Sequence, residues 1–526
     1  MAIEWKRVMM QSRYTTLRLI LGDQLNAGHH WYKQPNEHVL YVIAELKQET
    51  NYVTHHHQKI CAFFAAMENF AIALQQAGHE VLHLSLDDTH TYHDLPDLIV
   101  SLCQQYHCQA FEYQQPDEYR LSQQLAALKI PDVTVQATDS DHFLLTLAEL
   151  EQYITPNKHH RMEHFYRAMR KRFDVLMVEG KPQGGKWNFD GANRNKLKAG
   201  DIEAIPQPLM FSNDVSAISK RLEKHNINTI GQSCEQLLWP TNRKQSQALL
   251  SYFCRDLLPL FGRFQDAMTT KSESAWSLYH SRLSFALNTK MLHPMQVIQA
   301  AIDAYSQPDS KIDIAQVEGF VRQILGWREF IRAIYWVNMP HYGKENTLEA
   351  NGSLPDFFWD GKTNMQCMHH AIKQSLDYSY AHHIQRLMVT GNFCLLTGIT
   401  PSEVEKWYLG IYIDAIEWVE KPNTLGMALF ADAGVVATKP YAASGAYINK
   451  MSDYCSSCQY DVKKKTGLNA CPFNSLYWRF MDRNRELLAN NPRVGMLFSH
   501  WDKLDDSEQS VIVEQAEYYL RHINSL

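Results

Sequence analysis

The chain has 526 residues, 45% of them hydrophobic and 21% charged, with a formal net charge of −6. That length implies two to three domains, and the composition is that of an ordinary globular protein. With no run of about 18 apolar residues a membrane span is excluded, while the modest negative charge leaves nucleic acid open, since phosphate contacts are local.

The first thirteen residues, MAIEWKRVMMQSR, lack a signal peptide's continuous apolar stretch. A cytoplasmic, reducing address is therefore expected. There the ten cysteines read as thiols or metal ligands rather than disulfides.

The β-branched, apolar segment 14–21 predicts a first strand ending at Gly22-Asp23. Val39–Ala44 predicts a second. A helical pattern over Lys59–Ala77 leads to Gly78 and a third strand over Glu80–Leu86, with further strands over Ala110–Tyr113 and Val133–Ala137. Strands alternating with helices imply a Rossmann-like parallel α/β domain over residues 14–145. Residues 146–235 read as a long, partly ordered connection. It holds a basic stretch, His159–Arg172, with five Lys/Arg against one Glu, and a turn-rich patch, Gly180–Lys196. Connections this long are usually functional or disordered. Residues 236–526 read as all-helical, as over Ile314–Val337 and Ser375–Leu396.

Four cysteines stand apart. Cys455-Ser-Ser-Cys458 precedes Cys471-Pro472, and Cys367 lies upstream. Thiolates two residues apart can face one metal centre. Zinc takes four cysteines in a closed tetrahedral site, and a [4Fe–4S] cluster takes four as well. Spacing alone leans to zinc. The other six cysteines have apolar neighbours and read as core.

Three segments of the helical half then occur in order: His280-Ser281-Arg-Leu-Ser284-Phe-Ala-Leu, Trp327-Arg328-Glu-Phe, and Ala381-His382-His383-Ile-Gln-Arg386. The first is similar to the photolyase segment whose hydroxyls and backbone hold the flavin diphosphate. The second matches the photolyase WREF motif, and the third resembles the His-His stretch of (6-4) photolyases. Asp414 follows Arg386 by 28 residues, the separation of the photolyase Arg–Asp pair beside flavin N5. With the four cysteines added, the chain resembles the bacterial iron–sulfur branch of the cryptochrome/photolyase family, along nearly its whole length.

That resemblance implies the cryptochrome/photolyase fold, with an antenna-binding α/β domain and an all-α FAD-binding domain. It implies light-driven repair of (6-4) pyrimidine–pyrimidone photoproducts in UV-damaged DNA by a monomeric, membrane-free enzyme. His280, Ser281, Ser284, Arg328, Arg386, Asp414 and Asn423 would hold FAD. Cys367, Cys455, Cys458 and Cys471 would hold a [4Fe–4S] cluster, reversing the lean to zinc. His383 would be the proton donor, with His382 beside it and Tyr441 and Tyr447 at the lesion pocket. The second histidine of the animal enzymes is Leu387 here, and the usual proximal tryptophan is Met427. Trp407, Tyr408 and Trp359 match the alternative photoreduction chain of the branch. Asp23 and Glu49 match positions that hold a 6,7-dimethyl-8-ribityllumazine antenna. The basic stretch and the Gly184–Asn188 patch match a loop that approaches DNA. A blue-light sensor of the same fold, without repair, is the alternative. A zinc-bearing, flavin-free nucleic-acid binder is the reading outside the family.

Overall fold

The computed structural model of the chain describes residues 13–526. The N-terminal stretch 1–12, where no leader was expected, lies outside the described residues. Five parallel strands form the first layer: β1 Thr16–Leu19, β2 Val39–Ala44, β3 Glu80–Leu84, β4 Ala110–Gln114 and β5 Thr134–Thr138, in the order β3-β2-β1-β4-β5. Alternation along β2 divides its faces. Leu40 and Val42 join Leu98, Ile99 and Leu102 of one helix layer. Val39, Tyr41 and Ile43 join the core that continues into the helical half. The sheet therefore shares a core with the rest of the chain.

The expected strand 80–86 is shorter. Ser85 caps a short helix at Leu86, with Asp88 closing the box, and that ends the strand. The stretch 146–235 is more ordered than its turn-rich composition suggests. It contains a helix over Met162–Phe173 and another over Ser216–Lys224. In its basic stretch Arg170 is fully buried on the Val175 and Trp187 carbonyls, while Arg167 pairs with Glu163 and Arg172 with Glu149 at the surface.

Four helices position the site: α1 His57–Gln76, α2 Gln366–Tyr378, α3 Pro401–Ile411 and α4 Pro472–Arg483. The single helix expected over Ser375–Leu396 is two. Ser379 adopts φ 54° after α2, and a new helix starts at His383. The Gln385 side chain accepts the His382 N–H at 3.1 Å, capping that start. Two π-helical turns carry parts of the flavin motifs: Arg322–Arg328 holds Trp327 and Arg328, and Gln385–Gly391 holds Gln385 and Arg386. No helix among the described residues is long and apolar enough to cross a membrane.

Candidate active site

The centre is an ion pair. Arg386 donates to both Asp414 oxygens, at 2.9 and 3.2 Å, and its Nε donates to the Ala381 carbonyl at 2.6 Å. Ser284 Oγ donates to Asp414 at 2.5 Å, and Asn288 donates to the Asp414 carbonyl. Burial alone would raise the Asp414 pKa. The Arg386 guanidinium outweighs it and holds the carboxyl below its usual range. Arg386 also lies 3.8 Å above the Tyr412 ring. Thus Ser284, Arg386 and Asp414 converge, as expected for one cofactor.

His280 and His382 stack face to face, 4.4 Å apart and 13° from parallel. His280 Nε2 and both His382 nitrogens are buried without hydrogen-bond partners, as are the Ser274 and Ser277 hydroxyls upstream. Burial pushes His280 down to about 3. Such orphaned polar atoms are costly unless a ligand or water meets them. They fit a polar cofactor lying along segment 274–284. Ser281 folds back on its own backbone, 3.4 Å from Leu283 N–H. Arg328 reaches Glu329, His142 and the Leu287 carbonyl through its terminal nitrogens, while its Nε is buried without a partner, so it buttresses the segment from behind. Asn423 donates to Val419 of its own helix, and no contact ties it to the Arg386–Asp414 pair.

His383 is exposed, yet its pKa is pushed down to about 4, first by desolvation and then by Arg386 and Arg194. The charges of Arg386 and Arg194 thus both act on it. Tyr441 and Tyr447 are half-buried, and the charge of Arg194 acts on both as it does on His383. Tyr447 donates to Asp266 at 3.1 Å, while Arg194 lies 4.0 Å from Asp266 and donates to Asp190 at 3.2 Å. Sequence reasoning missed Arg194 and Asp266. Arg194 sits in the flagged turn-rich patch, but only its fold-back, with its N–H on the Gly262 carbonyl, selects it. Beside it opens a recess of about 430 Å³ lined by Asn195, Lys196, Lys198, Asp201, Arg263 and Asp313.

Aromatic rings run outward from the pair. Tyr412 lies 5.4 Å from Tyr408 and 5.8 Å from Trp407, and Tyr408 lies 5.5 Å from Trp407. The Tyr408 hydroxyl donates to the Arg386 carbonyl. The Trp407 indole donates to the Phe358 carbonyl, next to Trp359, which is 48% exposed. Sequence reasoning gave no role to Tyr412. The structure makes it the innermost ring.

Cys367, Cys455, Cys458 and Cys471 line one cavity with Tyr454 and Phe473. A Cβ at Gly445 would lie 2.8 Å from Cys471 Sγ, so glycine keeps that wall open. Burial, then the neighbouring thiols, pushes Cys367 well up. Zinc–sulfur bonds of about 2.3 Å would place tetrahedral sulfurs about 3.8 Å apart. Among the described residues the ligand atoms that all lie within 4.8 Å of one another belong to His29, His30 and Asp141, not to any three of these cysteines.

Asp23 and Glu49 flank a second polar region at the carboxyl ends of β1 and β2. Lys290 Nζ donates to Asp117 at 2.5 Å and to the Asp23 carbonyl at 2.7 Å. Burial lifts Asp23 to about 6 and Glu118 to about 8. Arg120 grips Glu49 through both oxygens, at 2.8 and 3.2 Å, and also pairs with Glu118. Tyr52, 38% exposed, stands 4.7 Å from Arg120 with its hydroxyl desolvated. Asp23 and Asp117 follow β1 and β4, where the strand order reverses, the usual ligand crevice of such sheets.

Residues 18–238 match the family model described as deoxyribodipyrimidine photo-lyase-related protein. The chain is 38% identical over 516 residues to a (6-4) photolyase of Agrobacterium fabrum, covering 97% of this chain and 99% of the relative. It is 32% identical over 116 residues to an uncharacterized protein of Acanthamoeba polyphaga mimivirus, covering 22% of this chain and 85% of that one. Two solved structures share the fold. A bacterial class III photolyase from Agrobacterium tumefaciens superposes with TM-score 0.57 at 13% identity, covering 90% of this chain and 98% of that one. A Synechocystis cryptochrome gives TM-score 0.51 at 14% identity, covering 84% and 89%.

Proposed function

This chain belongs to the cryptochrome/photolyase family, in its bacterial (6-4) photolyase branch, and from that premise we propose that it repairs (6-4) photoproducts in DNA by light-driven electron transfer. The single observation that carries the reading is 38% identity to a (6-4) photolyase over 97% of the chain. FAD, when bound, reduced and illuminated, supplies the electron that opens the lesion.

The rest falls to the chain's own residues. Ser284, Arg386 and Asp414 hold and orient the flavin, with the unpartnered His280 and His382 along its length. The lesion leaves the duplex stack, at a cost of about a few kcal/mol for a damaged pair, and enters a pocket at His383, Tyr441 and Tyr447. Neutral in this lesion-free state, His383 takes up a proton as DNA phosphates offset Arg194, and then delivers it from an imidazole nitrogen. Tyr447, hydrogen-bonded to Asp266, orders that pocket. Arg194, with Lys196, Lys198 and Arg263 beside it, positions phosphates without reading sequence.

Trp359, Trp407 and Tyr408 relay electrons from the surface for photoreduction, with Tyr412 as the last ring. Asp23 and Glu49 hold a lumazine antenna in the crevice above β1, with Arg120 and Lys290 orienting the carboxylates. Cys367, Cys455, Cys458 and Cys471 hold a [4Fe–4S] cluster that ties α2 and α4 together and contributes to folding. The catalytic histidine favours repair over a sensor.

The test is repair of an oligonucleotide with one defined (6-4) lesion by the reduced, illuminated protein, with a cyclobutane-dimer control. Restored thymines in the first substrate alone are expected. No restoration by flavin-loaded protein would leave the sensor reading in its place.

A further inference from the structure

Lys59, the third residue of α1, is 4% exposed, and no carboxylate is hydrogen-bonded to it. Its Nζ donates to the Leu409 carbonyl at 2.6 Å and the Ala415 carbonyl at 2.8 Å. Those two carbonyls bracket the turn that follows α3 and carries Asp414. Moving an ammonium out of water costs several kcal/mol after relaxation, and burial pulls Lys59 down to about 7 against the charges of Asp414, Glu420 and Glu118. Methionine would fill the same space without that cost, so the cation itself needs a reason.

The surroundings supply one. The same N-terminal segment clamps the turn twice more: His56 N–H donates to the Gly410 carbonyl at 2.9 Å, and a Cβ at Gly410 would sit 2.2 Å from the Thr54 carbonyl oxygen. One turn along α1, Phe63 packs edge-on against Phe285 at 5.3 Å, beside Ser284. Ser379 holds the turn from the other side through the Ile411 carbonyl. Arg386 and Asp414 cancel each other's charge. Neither remaining acid pairs with Lys59: Glu118 is taken by Arg120, and Glu420 accepts from Thr424.

We propose that Lys59 is a positioning residue for the flavin: its ammonium fixes the 409–415 turn and places an uncancelled positive charge behind Asp414, favouring the reduced, more negative form of the cofactor. The proposal rests on the flavin reading above. It joins the sheet-bearing half of the chain to the electron donor through one side chain.

The experiment compares wild type with Lys59→Met, Lys59→Gln and Lys59→Arg as full-length, flavin-loaded proteins. It measures FAD affinity in both redox states, the flavin midpoint potential and thermal unfolding. Lys59→Gln keeps a donor for Leu409 and guards against loss of folding in Lys59→Met. In both neutral variants oxidised FAD binds as in wild type while reduced FAD binds about tenfold more weakly, which lowers a two-electron potential by about 30 mV. Lys59→Arg retains the wild-type potential. Neutral variants that melt earlier but keep that potential would overturn the proposal, leaving Lys59 a structural prop. Equal drops in the Arg and Met variants would overturn it too, because shape rather than charge would then be at work. Wild type purified without any flavin would sink the underlying site reading instead, a distinct result.

Discussion

Arg386 and Asp414 meet through two hydrogen bonds, 2.9 and 3.2 Å long, across 28 residues of chain. Asp414→Asn leaves a buried guanidinium without its partner, at a cost of about 3 kcal/mol. We predict a lower melting temperature and loss of flavin on gel filtration. The sign with pH follows from the depressed Asp414 pKa: the pair's contribution is full above the ordinary carboxylate range and is lost as pH falls through the lower folded-state value. The Asn variant should therefore flatten the acid limb of stability against pH.

His383→Ala should lose nearly all repair while keeping FAD. In the free wild-type protein the histidine pKa, read from imidazole resonances, should lie near 4. A base held neutral by the fold favours folding above about pH 6.5 and loses that contribution as pH falls towards 4. Full repair by the alanine variant would move the proton donor elsewhere.

Arg194→Ala should weaken binding of lesion DNA and reduce the slope of log K against log salt by about one. It should also raise the His383 pKa, since one of the two cations holding it down is gone. Titration of binding and of the imidazole in the same variant checks both halves.

Cys458→Ser should yield poorly soluble protein with low iron and sulfide, because four ligands and the fold act together. Metal analysis of wild type should find about four irons and no stoichiometric zinc. One zinc per chain would restore the reading that cysteine spacing alone suggested.

Trp407→Phe replaces the oxidisable indole between the Trp359 end of the array and Tyr412 by a phenyl ring that is much harder to oxidise. Light-driven reduction of the flavin should slow at least tenfold. Repair by chemically reduced enzyme should stay at the wild-type rate, because the electron to the lesion does not pass through Trp407.

Much of the fold was legible in local pattern. The continuous apolar run Val39–Ala44 predicted a strand, and the structure buries both of its faces. The helix over Ser375–Leu396 was misread because its apolar period continues through residues 379–382. Ser379 at positive φ and the Gln385 cap interrupt it for reasons that involve backbone geometry, not hydrophobicity. Within the basic stretch, the burial of Arg170 was illegible for the opposite reason. Composition counts charges, whereas burial on carbonyls decides which remain available.

The sequence by itself determined the parallel sheet, the helical half, the motif residues Ser284, Arg386, Asp414 and His383, and the four cysteines. Each rests on residue type at short spacing or on resemblance, and both survive without coordinates. Tertiary structure alone decided that Arg194 and Asp266 meet beside Tyr447, that Lys290 and Arg120 meet Asp23 and Glu49, and that Lys59 grips the turn below Asp414. Those pairings cross dozens to hundreds of residues, as with the 350 between Lys59 and Leu409. Hydrophobic period carries no information over such distances; only packing of one half against the other brings the charges together.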